Sequence, residues 1–312
     1  MYEKRTDLAI EVRESFPEDK VEIEGVALTK EQDKQGNLMI TTVEIKNKSG
    51  ARQMKKPIGT YVTLEFEWGY DTKCELERRI SLLGLQIQKI LERMLCQIKK
   101  KAEKKCHTAL ITGLGNRFAT PDALGPYVLE NIQMNRHIYQ EFPEESTIGE
   151  WRLCGIAPGV MSQTGMESSE ILRGIIEKIR PDIVIVIDSL ASRSVDRLCR
   201  TIQITDTGIS PGAGIGNNRN QINQTTMGVP VIAIGVPTVV DAGTIIYETL
   251  ENALSKSGCT EQEIVCFFEN IMDQKKEKLF VTPKDIDEEI RRVGKTIAKG
   301  ITEFAVSSHT LS

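Results

Sequence analysis

Ile183-Val184-Ile185-Val186-Ile187-Asp188 is an unbroken run of β-branched apolar residues closed by an acid. A strand with one wet face alternates apolar and polar residues. A continuously apolar run is buried on both faces, as the central strands of parallel sheets are. Just upstream, Arg180-Pro181 closes a helix over 167–179. Downstream, 231–236 repeats the apolar run, and a helix follows over roughly 241–255. Further upstream, 108–111 is a short apolar strand ending in Gly113-Leu114-Gly115-Asn116. A helix starts near Thr120-Pro121-Asp122, where a hydroxyl, a proline and an acid stand in the order a first turn prefers. Strands alternating with helices predict a largely parallel sheet with right-handed crossovers, flanked by helices: an α/β fold.

The flanking sequence extends this core. Segments 21–28, 38–45 and 61–68 carry strand patterns separated by Gly, Asn, Lys and Pro turn signals, giving a β-rich extension over 8–72 before an α/β core over 73–312. Leu76, Ile80, Leu83, Ile87, Ile90, Met94 and Ile98 recur at steps of four and three, which predicts one long amphipathic helix whose apolar stripe can serve the core or a subunit contact. Its lysine-rich end at 99–105 reads as a solvated terminus whose cations complement the helix dipole. The last helix begins at Thr282-Pro283 and buries Ile286, Ile290, Val293, Ile297, Ile301 and Phe304. No internal repeat or low-complexity linker divides the chain, so one α/β unit is expected.

Composition narrows the function. In 312 residues, 40 Lys and Arg balance 44 Asp and Glu for a net charge of −4, which gives no reason to expect nucleic acid as a partner. No apolar run approaches a membrane span, and Met1 to Asp7 lacks a signal core, so a cytoplasmic protein is expected. Seven scattered cysteines without a C-x-x-C pair fit reduced thiols. Only His107, His137 and His309 are available for imidazole chemistry. His309 sits near the C-terminus, His107 and Cys106 are neighbours that point apart on a strand, and no nucleophile motif surrounds His137. No G-x-S-x-G, H-E-x-x-H or P-loop pattern occurs, so an enzyme with this sequence is expected to use carboxylates.

In open α/β sheets ligands gather at the carboxyl ends of strands. Asp188, expected to end its strand, and Asp122, in the first turn after the 108–111 strand, are both placed at that edge. Loops 113–116, 157–165 and 207–219 cluster there, and glycines such as Gly115, Gly159, Gly212 and Gly214 let backbone approach a ligand closely. Each feature has a plainer explanation. An acid at a helix start commonly offsets the dipole, and an acid closing a strand commonly caps the next helix. Gly113-x-Gly115 lacks the third glycine of a dinucleotide loop because position 118 is Phe.

With these residues in view, the chain resembles the germination protease family of endospore-forming bacteria. The resemblance rests on Arg5-Thr6-Asp7-Leu8-Ala9, Thr120-Pro121-Asp122-Ala123-Leu124-Gly125-Pro126, Ala157-Pro158-Gly159-Val160-Met161, Ile187-Asp188-Ser189-Leu190-Ala191, Ile202-Gln203-Ile204-Thr205-Asp206-Thr207-Gly208 and Gly228-Val229-Pro230-Val231-Ile232-Ala233, which run in order across nearly the whole chain. It implies a phosphorylase/hydrolase-like core, a homotetramer, and an endopeptidase whose substrates are small acid-soluble DNA-binding spore proteins of the spore core. It also implies a zymogen trimmed between Asp7 and Leu8, with 1–7 as propeptide and 8–312 as the protease domain. The segment Met1 to Lys4 is shorter than usual in that family.

The two aspartates the resemblance implicates as catalytic map to Asp122 and Asp188. Two neighbouring carboxyls share a proton, so one can activate water while the other protonates the leaving amine. The helix start favours ionised Asp122 as base, and the apolar strand favours protonated Asp188 as acid. Backbone N–H groups around Gly115, Asn116, Gly159, Gly212 and Gly214 are candidates to hold the oxyanion. No cofactor and no metal ligand set is expected. The alternatives are a metal-dependent peptidase of the hydrogenase-maturation type, with both aspartates as ligands, and a non-enzymatic phosphate- or nucleotide-binding module using the glycine loops.

Overall fold

A computed structural model describes residues 6–16, 23–33, 38–68, 72–99, 107–142, 151–212, 219–256, 259–272 and 279–307. The strands in chain order are β1 (Val26–Asp33), β2 (Leu38–Ile45), β3 (Gly59–Glu65), β4 (His107–Gly113), β5 (Trp151–Ile156), β6 (Ile183–Ser192), β7 (Thr201–Thr205), β8 (Val231–Asp241) and β9 (Phe280–Val281). The helices are α1 (Ala9–Glu14), α2 (Lys48–Met54), α3 (Lys73–Lys99), α4 (Leu124–Glu130), α5 (Arg136–Glu141), α6 (Met161–Thr164), α7 (Ser168–Ile179), α8 (Gln224–Met227), α9 (Ala242–Lys256), α10 (Glu261–Met272) and α11 (Ile286–Ser307).

Among the described residues all nine strands belong to one sheet, ordered β1-β2-β3-β7-β8-β6-β4-β5, with β9 on the end of β8. The expected parallel arrangement holds across β5-β4-β6-β8. From β8 to β1 every pairing is antiparallel, so the sheet is mixed rather than largely parallel. Connection length explains the switch. A parallel return needs a crossover of a dozen or more residues, whereas β6 ends at Ser192 and β7 begins at Thr201, with only a 3-10 turn at Val195–Arg197 between them. β7 therefore runs back against β8, and the amino-terminal strands join the same sheet through β3 and β7.

The apolar run that predicts the central strand alternates between two cores. Ile183, Ile185 and Ile187 face a cluster built with α3, α4 and α11, while Val184 and Val186 face Leu172, Ile176 and Met227 of α7 and α8. All five are fully buried, each contributing about 1.5–3 kcal/mol relative to exposure. The α3 stripe packs against α11: Leu83, Ile87, Leu91 and Met94 are buried with Ile290, Val293, Ile297 and Ile301. At their crossing, a Cβ on Gly300 would lie 2.7 Å from the Ile87 Cβ, so glycine sets how closely the helices approach. α7 starts where the sequence predicts, with Glu167 as N-cap and Glu170 closing a capping box. Among the described residues no helix is long and apolar enough to cross a membrane.

Candidate active site

β4 stops at Gly113, opposite Ile187 of β6. β6 does not stop there. It continues to Ser192 by pairing with Pro237, Val239 and Val240 of β8, across a register shift at Leu190/Ala191. Asp188 is therefore a mid-strand residue and not the last residue of its strand, one position beyond the edge of β4. Strand alternation puts its side chain on the same face as Val184 and Val186. It is 6% exposed, and Oδ1 accepts the Ser189 N–H at 2.9 Å.

Asp122 reaches this point from the loop that leaves β4. The Leu114 N–H donates to the Ile187 carbonyl at 2.8 Å, which holds the loop against β6. The chain then crosses Gly115 and Asn116 and enters a 3-10 turn at Thr120–Asp122, ahead of α4. Asp122 thus ends a 3-10 turn rather than sitting inside the first α-helical turn. Its Oδ2 accepts the Asn116 N–H at 2.8 Å, and the N-cap position of α4 is Ala123, without a side-chain cap. Asp188, inside a strand, caps no helix either. The plain capping explanation fails for Asp188, while Asp122 still stands at a helix start.

Glycine is needed at two points of this loop for packing. Gly115 has φ +108°, and a Cβ there would meet the Asp122 carbonyl oxygen at 2.0 Å. A Cβ on Gly113 would meet the Gly125 carbonyl oxygen at 2.2 Å. The loop and the start of α4 pack backbone to backbone, which fixes Asp122 over β6.

Asp122 and Asp188 line one cleft of about 300 Å³, with Asp7, Gly115, Gly159, Gly212 and Arg219 around it. The acids interact electrically. Asp188 is held well above the ordinary carboxylate range, first by burial, then by the Asp122 carboxylate and then by that of Asp7; the Ser189 N–H and Arg219 pull the other way. Burial also raises Asp122, opposed by the Asn116 N–H and Arg219. Two acids whose environments differ this way suit a division into proton donor and proton acceptor. Among the described residues no group of three His, Cys, Asp or Glu side chains is placed to hold a metal ion. His107 starts β4 at its other end, with its ring 5.0 Å from that of Trp151.

Residues 6–9 lie across the same ground. Asp7 forms a strand-like pair with β6: its N–H donates to the Ala191 carbonyl at 2.9 Å, and its Oδ2 accepts the Ala191 N–H at 2.9 Å. Leu8 is fully buried beside Ile10 and Leu190. α1 is fastened by Glu11, a buried carboxylate that accepts Thr6 Oγ1, the Arg193 N–H at 2.8 Å, the Ser194 N–H at 3.1 Å and, as an ion pair, Arg197 at 3.3 Å.

The structure therefore gathers Asp7, Gly115, Asp122, Gly159, Asp188 and Gly212 at one cleft. Asn116 stands behind it, with its N–H on Asp122 and its Oδ1 accepting Gln163 Nε2 at 2.9 Å. Gly214 lies outside the described residues. Sequence reasoning passed over Arg219, which closes a glycine-rich stretch, and Lys56 and Gln203, which hold the Asp7 carbonyl.

Comparison with known proteins decides the family. The model of the germination protease family matches residues 3–266, most of the chain. The chain belongs to the germination protease family. It is 42% identical to a germination protease of Clostridium tetani over 95% of this chain and 94% of that protein. It is 40% identical to one of Caldanaerobacter subterraneus over 95% of this chain and 92% of the other. A Bacillus cytotoxicus germination protease is 44% identical over 82% of this chain and 68% of its own length. Membership makes this chain a peptide-bond hydrolase.

Proposed function

We propose that this chain is the zymogen of an endopeptidase that begins the breakdown of small acid-soluble DNA-binding proteins in the germinating spore core. In this reading residues 1–7 are the propeptide and 8–312 the protease domain, a phosphorylase/hydrolase-like core (73–312) with an amino-terminal β-rich portion (8–72), assembled as a homotetramer. The observation that carries the reading is the placement of Asp7 in the cleft lined by Asp122 and Asp188. The residue at the expected cut lines the same cleft as the two acids expected to make it.

The mechanism follows from the two environments. The pair holds one proton, kept on Asp188 by burial and by the neighbouring carboxylates. Ionised Asp122, fixed by the Asn116 N–H, takes a proton from water as its oxygen attacks the peptide carbonyl carbon. The carbonyl oxygen takes up the negative charge, for which backbone N–H groups around Gly115, Asn116, Gly159, Gly212 and Gly214 are candidates. Asp188 then gives its proton to the departing nitrogen as the C–N bond breaks. No nucleophilic side chain and no cofactor enters the cycle.

A chain starting at Leu8, incubated with a small acid-soluble spore protein with and without chelator, tests the proposal. The trimmed chain is expected to cleave at the same rate in both, and the full chain is expected not to cleave the spore protein until residues 1–7 are lost. A folded but inactive trimmed chain counts against steric blocking by residues 1–7. Loss of activity with chelator, restored by a divalent cation, moves the aspartates from acid–base catalysis to metal ligation.

A further inference from the structure

We propose that Lys56 and Gln203 form the electrophilic cradle for the bond between Asp7 and Leu8, receiving the negative charge that builds on the Asp7 carbonyl oxygen during processing. This rests on the reading that the cut falls there.

The Lys56 ammonium donates to the Asp7 carbonyl oxygen at 2.8 Å, and Gln203 Nε2 donates to the same oxygen at 3.4 Å. Gln203 is not free to turn its amide around. Its Oε1 accepts the Ala9 N–H at 2.7 Å, which only an oxygen can do, so the NH₂ end is aimed at Asp7. One side chain thus grips the chain on both sides of the Asp7–Leu8 peptide. Both donors stand on fixed supports. Gln203 is 6% exposed in the middle of β7, paired with Gly235 of β8, and Lys56 directly follows the left-handed cap of α2 at Lys55.

A half-buried lysine ammonium ordinarily answers to a carboxylate; here its hydrogen bond goes to a peptide carbonyl. Burial lowers the pKa of this ammonium, while the Asp7 and Glu11 carboxylates work to keep it charged. The arrangement suits an oxyanion better than a ground-state amide, because a full negative charge strengthens each of these hydrogen bonds. Asp7 also lies on the boundary of two cavities. One contains Asp122 and Asp188; the other, of about 210 Å³, contains Lys56, Gln203 and Gly235. Asp7 is thus the residue shared by the cavity of the acids and the cavity of the two donors. Water oxygen bonds to the Asp7 carbonyl carbon and leaves its proton on the carboxylate pair. The C=O electron pair moves onto the oxygen held by Lys56 and Gln203. On collapse the C–N bond breaks, the nitrogen of Leu8 takes the proton held by Asp188, and Asp7 leaves with a new carboxyl group.

The test uses full-length wild type, Lys56→Met and Gln203→Glu. Processing is timed by mass spectrometry of the loss of residues 1–7, and folding is followed by urea unfolding. Each substitution is expected to slow processing about 10²–10³-fold, the usual effect of removing one oxyanion donor. Lys56→Met is expected to unfold at the wild-type urea midpoint or above it, because a half-buried cation gives way to an apolar side chain of similar volume; a merely structural lysine would lower the midpoint. Gln203→Glu keeps the acceptor for Ala9, and it replaces the donor with a carboxylate oxygen that repels charge building on the Asp7 carbonyl oxygen. Processing at wild-type speed in both folded variants, or slowing that matches the unfolded fraction, overturns the cradle alone. A wild-type chain cut at some other bond, or never cut, overturns the processing reading on which the cradle rests.

Discussion

Replacing Asp188 by asparagine separates stability from catalysis, because the two are expected to move in opposite directions. The carboxamide has the volume of the acid and keeps an oxygen for the Ser189 N–H, so packing is preserved. What changes is ionisation. In the fold the Asp188 pKa lies above its unfolded value of about 3.9, raised by burial and by the Asp122 and Asp7 carboxylates. A group shifted upward contributes stability that is fully present below the unfolded pKa and is lost as pH rises through the folded one. At about pH 8 wild type therefore carries a cost that asparagine does not. Relieving a buried, poorly compensated acid at a 6% exposed site is worth about 1–3 kcal/mol. The gain should shrink towards zero below about pH 4, where the acid is neutral in both states. Catalysis goes the other way. Without the proton donor, cleavage by the trimmed protein should fall by about 10²–10⁴, or about 3–5 kcal/mol of barrier. Urea unfolding at acid and alkaline pH, beside a cleavage assay, reads both effects. An Asp188→Asn protein that cleaves within a few-fold of wild type, or that is less stable at every pH, refutes the reasoning.

The same upward shift predicts that the cleavage rate of the trimmed chain declines as pH rises through the Asp188 pKa; a rate that keeps rising into alkaline pH would show that a protonated Asp188 is not required. Gly115→Ala forces a side chain onto the Asp122 carbonyl at φ +108° and should cost at least about 1–3 kcal/mol with most of the activity. Gly228→Ala, at φ +73° with open space around it, should cost about 1–2 kcal/mol and leave the rate unchanged; equal rate losses in both would remove the special role of the Gly115–Asp122 contact. Glu11→Ala strips the buried acceptor from the Arg193 and Ser194 N–H groups and one of three carboxylates from Arg197, and should destabilise the full chain by about 1–3 kcal/mol, with amide exchange accelerating first in α1. Exchange that accelerates uniformly would mean that Glu11 does not anchor α1 in particular.

Much of this was legible because it is local. The run from Ile183 to Ile187 carries its double burial in its composition, and the spacing of Leu83, Ile87 and Met94 gives the α3 face that packs on α11. The placement of Asp122 and Asp188 at one edge followed from strand–helix alternation. Strand direction was harder to read: the antiparallel half depends on the short link between Ser192 and Thr201, and β7 is only five residues long. The end of β6 was misread because its continuation to Ser192 depends on pairing with β8, about fifty positions away. The glycines before Asp122 were visible, but their reason, backbone contact with Asp122 and Gly125, was not. Lys56 carried no signal, and Gln203, though inside a block that carries the family resemblance, had none that pointed to residue 7. A lysine after a short helix and a glutamine in an alternating strand are ordinary until residues 7 and 9, up to 196 positions away, are laid between them.

The way residues 6–11 are fastened has a thermodynamic consequence. Their contacts run to Ala191, Arg193, Ser194 and Gln203, all in the body of the molecule, so the occupying segment competes as a tethered ligand at an effective concentration in the millimolar range. Severing the chain after Asp7 leaves Glu11 clamped in place but turns the outgoing peptide into a free solute at the concentration of the protein itself. Dilution then keeps the groove open, and one hydrolytic event acts as a ratchet that needs no further signal to hold it.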